Sequence, residues 1–202
     1  MIEPFERHYD KYEEWFEKNK DIYELELNAI KSILPDFKKG LEIGIGTGRF
    51  ALPLGIKEGI EPSEKMAEIA RHKGLIVKKA YAENLPYDDN SFDFILMVTT
   101  MCFLDNVNKA FSEIYRILMK NGYLMLAFVD KDSYYGEILE TRKKISKFYN
   151  VAKFVGTSDL LKILKMFNFK IVKIIQTLFQ NDKKSIREGF GEGGFVVILS
   201  QK

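Results

Sequence analysis

The chain has 202 residues, enough for one domain with a substantial core, and 46% of them are hydrophobic against 30% charged. Lysine and arginine number 31 against 29 aspartates and glutamates, a formal +2 dispersed along the chain, which leaves no electrostatic footprint for nucleic acid. The single cysteine, Cys102, excludes a disulfide framework or a cysteine-built metal site within one chain, and fits a reducing cytoplasm.

The first residues, Met1 to His8, lack the apolar run of a signal peptide, and no stretch approaches the roughly 20 apolar residues of a membrane span. Phe5, Tyr9, Tyr12 and Phe16 recur at steps of four, three and four, which predicts a helix with one aromatic face. Asp21 reads as the N-cap of a second helix with Glu24 as its box partner, running to about Leu34 before Pro35 stops it. Residues 1–36 are thus expected to form a helical cap on a single compact unit spanning 37–202.

From Gly40 the texture changes to short apolar runs separated by helical patterns, and 41–45, 56–61, 75–81, 93–98 and 123–129 read as strands. After Gly48 there is room for a helix of about two turns. The next is well marked, with Ser63 as N-cap, Met66, Ile69 and Ala70 on one face and Gly74 as terminator. A longer helix follows Asp105, with Val107, Ala110, Phe111, Ile114 and Leu118 inward, ending before Gly122. Such alternation predicts a parallel sheet covered on both faces.

The end of the chain breaks this rhythm. After a helix at about 158–167 come two strand-like runs, Phe169 to Phe179 and Phe195 to Ser200, joined by a link containing Gly189, Gly191, Gly193 and Gly194. The link has no apolar helical stripe, whereas a parallel crossover usually needs a helix, so the last pair is expected to be antiparallel. The fold class is therefore α/β, with seven strands, mostly parallel, and the last one reversed.

Leu41-Glu42-Ile43-Gly44-Ile45-Gly46-Thr47-Gly48 places an apolar run against three alternate glycines and a following helix, whose free N–H groups and dipole make a ligand cradle. A glycine is needed where backbone approaches a ligand closely. Glu42 beside the glycines would repel a pyrophosphate but orient an ammonium group, which favours a zwitterionic or cationic nucleoside. A dinucleotide fingerprint wants a third glycine where this chain has Arg49, which counts against an NAD-dependent oxidoreductase. His8 and His72 are too few and too scattered for a metal site.

Those residues, with Gly59-Ile-Glu-Pro-Ser63, Ala82-Glu-Asn-Leu-Pro86, Ser91-Phe-Asp-Phe-Ile95 and Arg116-Ile-Leu-Met-Lys-Asn-Gly-Tyr-Leu124, resemble a class I S-adenosylmethionine-dependent methyltransferase, nearest to the small-molecule branch related to quinone methyltransferases. The resemblance covers about residues 38 to 130. It implies a Rossmann-like, doubly wound seven-stranded sheet with a reversed last strand, S-adenosyl-L-methionine as methyl donor and S-adenosyl-L-homocysteine as product. It also implies that Gly44, Ile45, Gly46 and Gly48 turn around the methionine portion, with Glu42 at its ammonium end. Glu61, followed by Pro62, would accept hydrogen bonds from the ribose hydroxyls, as the acid of dinucleotide folds does. Met66, Ala82 and Glu83 would frame the adenine, although Tyr81 stands where many relatives carry an aspartate. Asp93 is read as structural. Thr99, with Val98, Thr100, Met101, Cys102 and Phe103, would lie along the floor where methyl and acceptor meet. Cys102 is read as a small buried residue and not a nucleophile.

The acceptor is expected to be a small molecule, bound partly by Tyr134, Tyr135, Phe148 and Tyr149 of the 130–157 segment and by the glycine-rich link near Phe190. His8, Tyr9 and Tyr12 are candidate proton acceptors on an N-terminal helix that folds over the donor as a lid. A non-catalytic protein that binds the same nucleoside would carry the same cofactor residues, and stays open at this point.

Overall fold

A central eight-stranded sheet organises the computed structural model, which describes residues 3–202. Its strands are β1 (Gly40–Ile43), β2 (Glu58–Ile60), β3 (Ile76–Lys78), β4 (Phe92–Val98), β5 (Leu118–Val129), β6 (Lys170–Thr177), β7 (Arg187–Glu188) and β8 (Phe195–Gln201). They lie in the order β3-β2-β1-β4-β5-β8-β6-β7. Neighbours among β1 to β5 pair in parallel, while β8 inserts between β5 and β6 and runs antiparallel to both. The glycine-rich link makes this possible, because it returns the chain from β6 without a crossover helix.

Among the described residues, seven helices surround the sheet: α1 (Glu3–Arg7), α2 (Tyr9–Lys18), α3 (Lys20–Ser32), α4 (Glu64–His72), α5 (Val107–Ile117), α6 (Tyr134–Arg142) and α7 (Thr157–Met166). Successive side chains of β4 alternate between two cores: Phe94, Leu96 and Val98 join one, with Phe16 and Ile30 from the N-terminal helices, while Ile95 and Met97 join the other, with Phe111, Ile114, Leu160 and Leu164. A strand buried on both faces in this way needs the near-continuous apolar run that β4 carries.

The structure corrects the expected elements in several places. The N-terminal aromatic face belongs to two helices and not one, with α1 and α2 separated at His8. Asp21 lies inside α3, and Asn19 is the boundary residue; its side-chain amide donates to the Trp15 carbonyl at 2.8 Å, closing α2 just where α3 begins. The helix expected after Gly48 is a single 3-10 turn, Leu52–Leu54, with Pro53 near its start and Gly55 in the left-handed region ending it. The long helix stops at Ile117, because Leu118 is already extended and begins β5. The short β7 pairs with Ile175 and Gln176 of β6 and adds an eighth strand inside the glycine-rich link. Among the described residues, no helix is long and apolar enough to cross a membrane.

Asp93 fastens the entry to β1. Its two carboxylate oxygens accept from the backbone N–H groups of Lys38 and Lys39, each at 2.8 Å. Asp93→Ala leaves both donors unpaired and is expected to lower unfolding stability by about 1–3 kcal/mol in denaturant titrations. An unchanged midpoint would show that the two bonds are exchanged for water without cost.

Candidate active site

The sheet order reverses between β1 and β4, and the loops leaving β1, β2, β3 and β4 converge there at the carboxyl ends of the strands, the usual ligand position in open α/β sheets. A cleft of about 800 Å³, open on one side, is lined by Gly44 and Gly46 after β1, Glu61, Pro62 and Met66 after β2, Tyr81, Ala82 and Glu83 after β3, and Thr99, Thr100 and Phe103 after β4. Phe5 and Tyr12 of the N-terminal helices close its upper side.

Glu61 holds the cleft together. It is buried, with Oε2 accepting from the Gly46 N–H and Oε1 from the Ser63 N–H, both at 2.9 Å. Burial pushes its carboxyl up to about 7, against the pull of these two amides. Glu61 lines the cleft, and as a carboxylate each of its oxygens has capacity for a further hydrogen bond. Gly46 has φ +56, and a Cβ built there would lie 3.1 Å from the Tyr12 hydroxyl, so a side chain would fill the space between loop and roof. Met66 lies in the first turn of α4, whose Ser63 hydroxyl accepts from the Met66 N–H at 3.3 Å.

Glu42 is buried beneath the loop, behind the cleft wall, and its Oε2 has no hydrogen-bond partner. Burial raises its carboxyl well above the ordinary value, and charge on Glu42 adds to the burial that holds the Tyr12 phenol far above its own range. Glu83 braces the cleft: one oxygen accepts from the Asp105 and Asn106 N–H groups at 2.9 and 3.1 Å.

The N-terminal helices are pinned to the β1 loop by charge. Arg49 makes a two-pronged pair with Glu13, at 2.6 and 3.2 Å, and reaches Glu17 at 3.1 Å; Glu13 also takes the Thr47 hydroxyl. Arg49 thus occupies the position of a dinucleotide motif's third glycine and turns it into an anchor. Glu6 accepts from the Glu64 N–H at 2.6 Å, at the start of α4.

A second, larger cavity of about 1410 Å³ adjoins the cleft, and Phe5, Tyr12, Thr99 and Phe103 line both. Its far walls come from α2, α3 and α6 and from Phe148 and Tyr149; of the aromatics expected of the 130–157 segment, Tyr135, Phe148 and Tyr149 line it, while Tyr134 and Phe190 are exposed and line none of the cavities described. Glu26 lies on this wall, buried, with its carboxyl pushed up to about 8 by burial alone.

Several expected residues lie elsewhere. Gly48 faces the Leu75 side chain, so its role is packing of the turn. Ile45 belongs to the core and packs toward Gly59. Tyr9 is 39% exposed and lines neither cavity, and His8 stands edge-on to Phe148 outside both, which leaves Tyr12 alone of the three at the site. Cys102 is buried with its thiol pushed up to about 12, so it is inert at neutral pH. Sequence reasoning missed Glu26, yet the signal was present: a carboxylate at the spacing of the apolar stripe Ile22, Ala29, Ile30 and Ile33.

The residues present fit an adenosyl donor. An acid with free lone pairs stands at the end of β2, a side-chain-free loop position faces it, and an unsatisfied carboxylate oxygen lies below the loop. Residues 41–126 match the family model described as a methyltransferase domain. The solved structure of an S-adenosylmethionine-dependent methyltransferase from Thermotoga maritima, a possible histamine N-methyltransferase, is 48% identical, covers 100% of both chains and superposes with a TM-score of 0.95. An uncharacterized protein of Methanocaldococcus jannaschii is 41% identical over 98% of each chain. A demethylmenaquinone methyltransferase of Symbiobacterium thermophilum is 29% identical over 64% of this chain and 53% of its own.

Two predictions follow from the electrostatics and the backbone. Glu61 and Glu26 keep their protons in the folded, ligand-free protein after the unfolded chain has lost them near 4.5, so stability is expected to fall as pH rises from about 4.5 to 8. Melting curves should show a lower Tm at pH 8.5 than at pH 5.5; a Tm that rises over this window contradicts the burial of both acids. Thr99 is a β-branched residue at φ +49, a strained conformation on the wall shared by the two cavities. Thr99→Gly is expected to raise stability by up to about 1 kcal/mol, where loss of stability would mean that the side chain's packing outweighs the strain.

Proposed function

Because the chain belongs to the S-adenosylmethionine-dependent methyltransferases, we propose that it methylates a small-molecule acceptor seated in the aromatic cavity beside the donor cleft. The observation that carries this reading is the shared wall: Thr99, Phe103, Phe5 and Tyr12 border both spaces, so occupants of the two meet there. The donor is assigned to the cleft, with Glu61 accepting from the ribose hydroxyls, Gly44 and Gly46 around the methionine portion with Glu42 beneath, and Met66, Ala82 and Glu83 about the adenine.

When bound, S-adenosylmethionine supplies a sulfonium-activated methyl group. What the chain adds is orientation and exclusion of water. Tyr12 keeps its proton, since burial followed by charge on Glu42 and Glu61 holds the phenol far above its usual range, so toward a bound ligand it is a hydrogen-bond donor and not a base. The lone free thiol of Cys102 is as inert as its burial implies. With neither as a base, alignment of acceptor and methyl provides the acceleration, which for well-oriented groups reaches about 7–11 kcal/mol. A small acceptor is favoured over a nucleic acid by the near-even charge, a formal +2, and by a cavity roofed by the N-terminal helices. The buried single thiol suits the cytoplasm.

Calorimetry tests the donor assignment. S-adenosylmethionine and S-adenosylhomocysteine should bind at micromolar levels and NAD should not, with Glu61→Ala weakening both by at least tenfold, about 1.4 kcal/mol. Radiolabelled methyl transfer to a panel of amines, phenols, thiols and quinones reads turnover. No affinity for either nucleoside, or full affinity in Glu61→Ala, overturns the assignment.

A further inference from the structure

We infer that the large cavity selects a cationic amine, with Glu26 receiving the protonated nitrogen. The inference rests on the methyl-transfer reading above and adds the chemical class of the acceptor. Asn19, Ile22 and Glu26 follow one another along the face of the N-terminal helices that meets this cavity, so the carboxyl is carried on a wall that is otherwise apolar or aromatic. Glu26 is 6% exposed, and no hydrogen bond or ion pair compensates it among the described residues. An ionisable group so placed is costly unless a ligand completes it. Glu26 is the cavity's one carboxyl, and the surrounding rings of Tyr12, Phe16, Phe148 and Tyr149 present π-faces and edges that suit a desolvated cation.

Glu26 lines the large cavity and not the donor cleft. An acceptor held there by its cationic nitrogen meets the methyl group through a second nucleophilic atom at the Thr99 and Phe103 wall that both spaces share. A neutral or anionic molecule of the same shape leaves the carboxyl unpaired or repels it. The other ionisable groups on the cavity wall are Tyr12, Tyr135, Tyr149 and Arg142; Arg142 is exposed at the edge, and the phenols of Tyr12 and Tyr149 are held protonated by burial. Glu26 is thus the group whose ionisation sets the cavity's charge. Because its carboxyl is pushed up to about 8, amine binding should release a proton and strengthen as pH rises from 6 to 8.

Calorimetry on the protein saturated with S-adenosylhomocysteine tests this with three probes of one shape: 2-phenylethylamine, 2-phenylethanol and phenylacetate. The amine is expected to bind at least tenfold more tightly than the alcohol, and the acid more weakly than either. Glu26→Gln should bring amine and alcohol within about threefold of each other and flatten the pH dependence, while its Tm stays at or above that of the parent because a buried acid has been removed. Equal binding of amine and alcohol by the parent protein, or an amine preference that survives Glu26→Gln, overturns the inference and leaves the donor site standing. Failure of S-adenosylhomocysteine itself to bind overturns both.

Discussion

One buried carboxyl joins the pieces from which the site is made. Glu61 stands at the end of β2, takes the Gly46 N–H from the β1 loop with one oxygen and the Ser63 N–H with the other, and so locks two strand ends and the start of α4 into one unit. The arrangement is expensive, since burial raises the carboxyl to about 7 in spite of two amide donors. Buried acids that a core would avoid are retained where a ligand needs them. Glu61, Glu42 and Glu26 are three such groups; Glu61 lines the cleft, Glu26 lines the larger cavity and Glu42 sits in β1, the strand that leads into the glycine loop.

The second element is the roof. Six of the residues lining the larger cavity, Phe5, Tyr12, Trp15, Phe16, Ile22 and Glu26, come from the first three helices and a seventh, Asn19, joins two of them, so that cavity exists only while these helices are docked. Docking is held by the partly buried pair of Arg49 with Glu13 and by Glu6 at the start of α4. The same loop that faces the donor cleft therefore also anchors the wall of the acceptor cavity, and anything that orders the loop orders both spaces. Thr99, held at positive φ where the spaces meet, and Leu178, at positive φ on the wall of the larger cavity, are two points at which the backbone departs from its preferred conformation.

The sheet was readable because its signals are local. The apolar runs of β1, β4 and β5 alternate with helical stripes, and the composition of the link after β6 reveals the reversed β8. Glycine spacing pointed to the β1 loop, but spacing does not separate a glycine that faces ligand space from one that faces a neighbour, and Gly48 proves to accommodate Leu75. Helical periodicity groups Phe5, Tyr12 and Phe16, whose rings do meet, but it does not register the break at His8, and Tyr9 of the same pattern is turned outward. Glu26 was passed over because an acid on an apolar stripe is visible only when the stripe is read for exceptions. Its meaning depends on Phe148 and Tyr149, more than a hundred residues away, which no local pattern connects to it.

The central claim is that the Glu61-linked loop grips an adenosyl donor. A crystal structure with S-adenosylhomocysteine tests it most directly. The account predicts the ribose hydroxyls within about 3 Å of the Glu61 carboxylate, the adenine beside Met66 and Ala82, and the sulfur facing Thr99. An adenosyl group bound elsewhere, or bound in the cleft with Glu61 making no contact to the ribose, would contradict it.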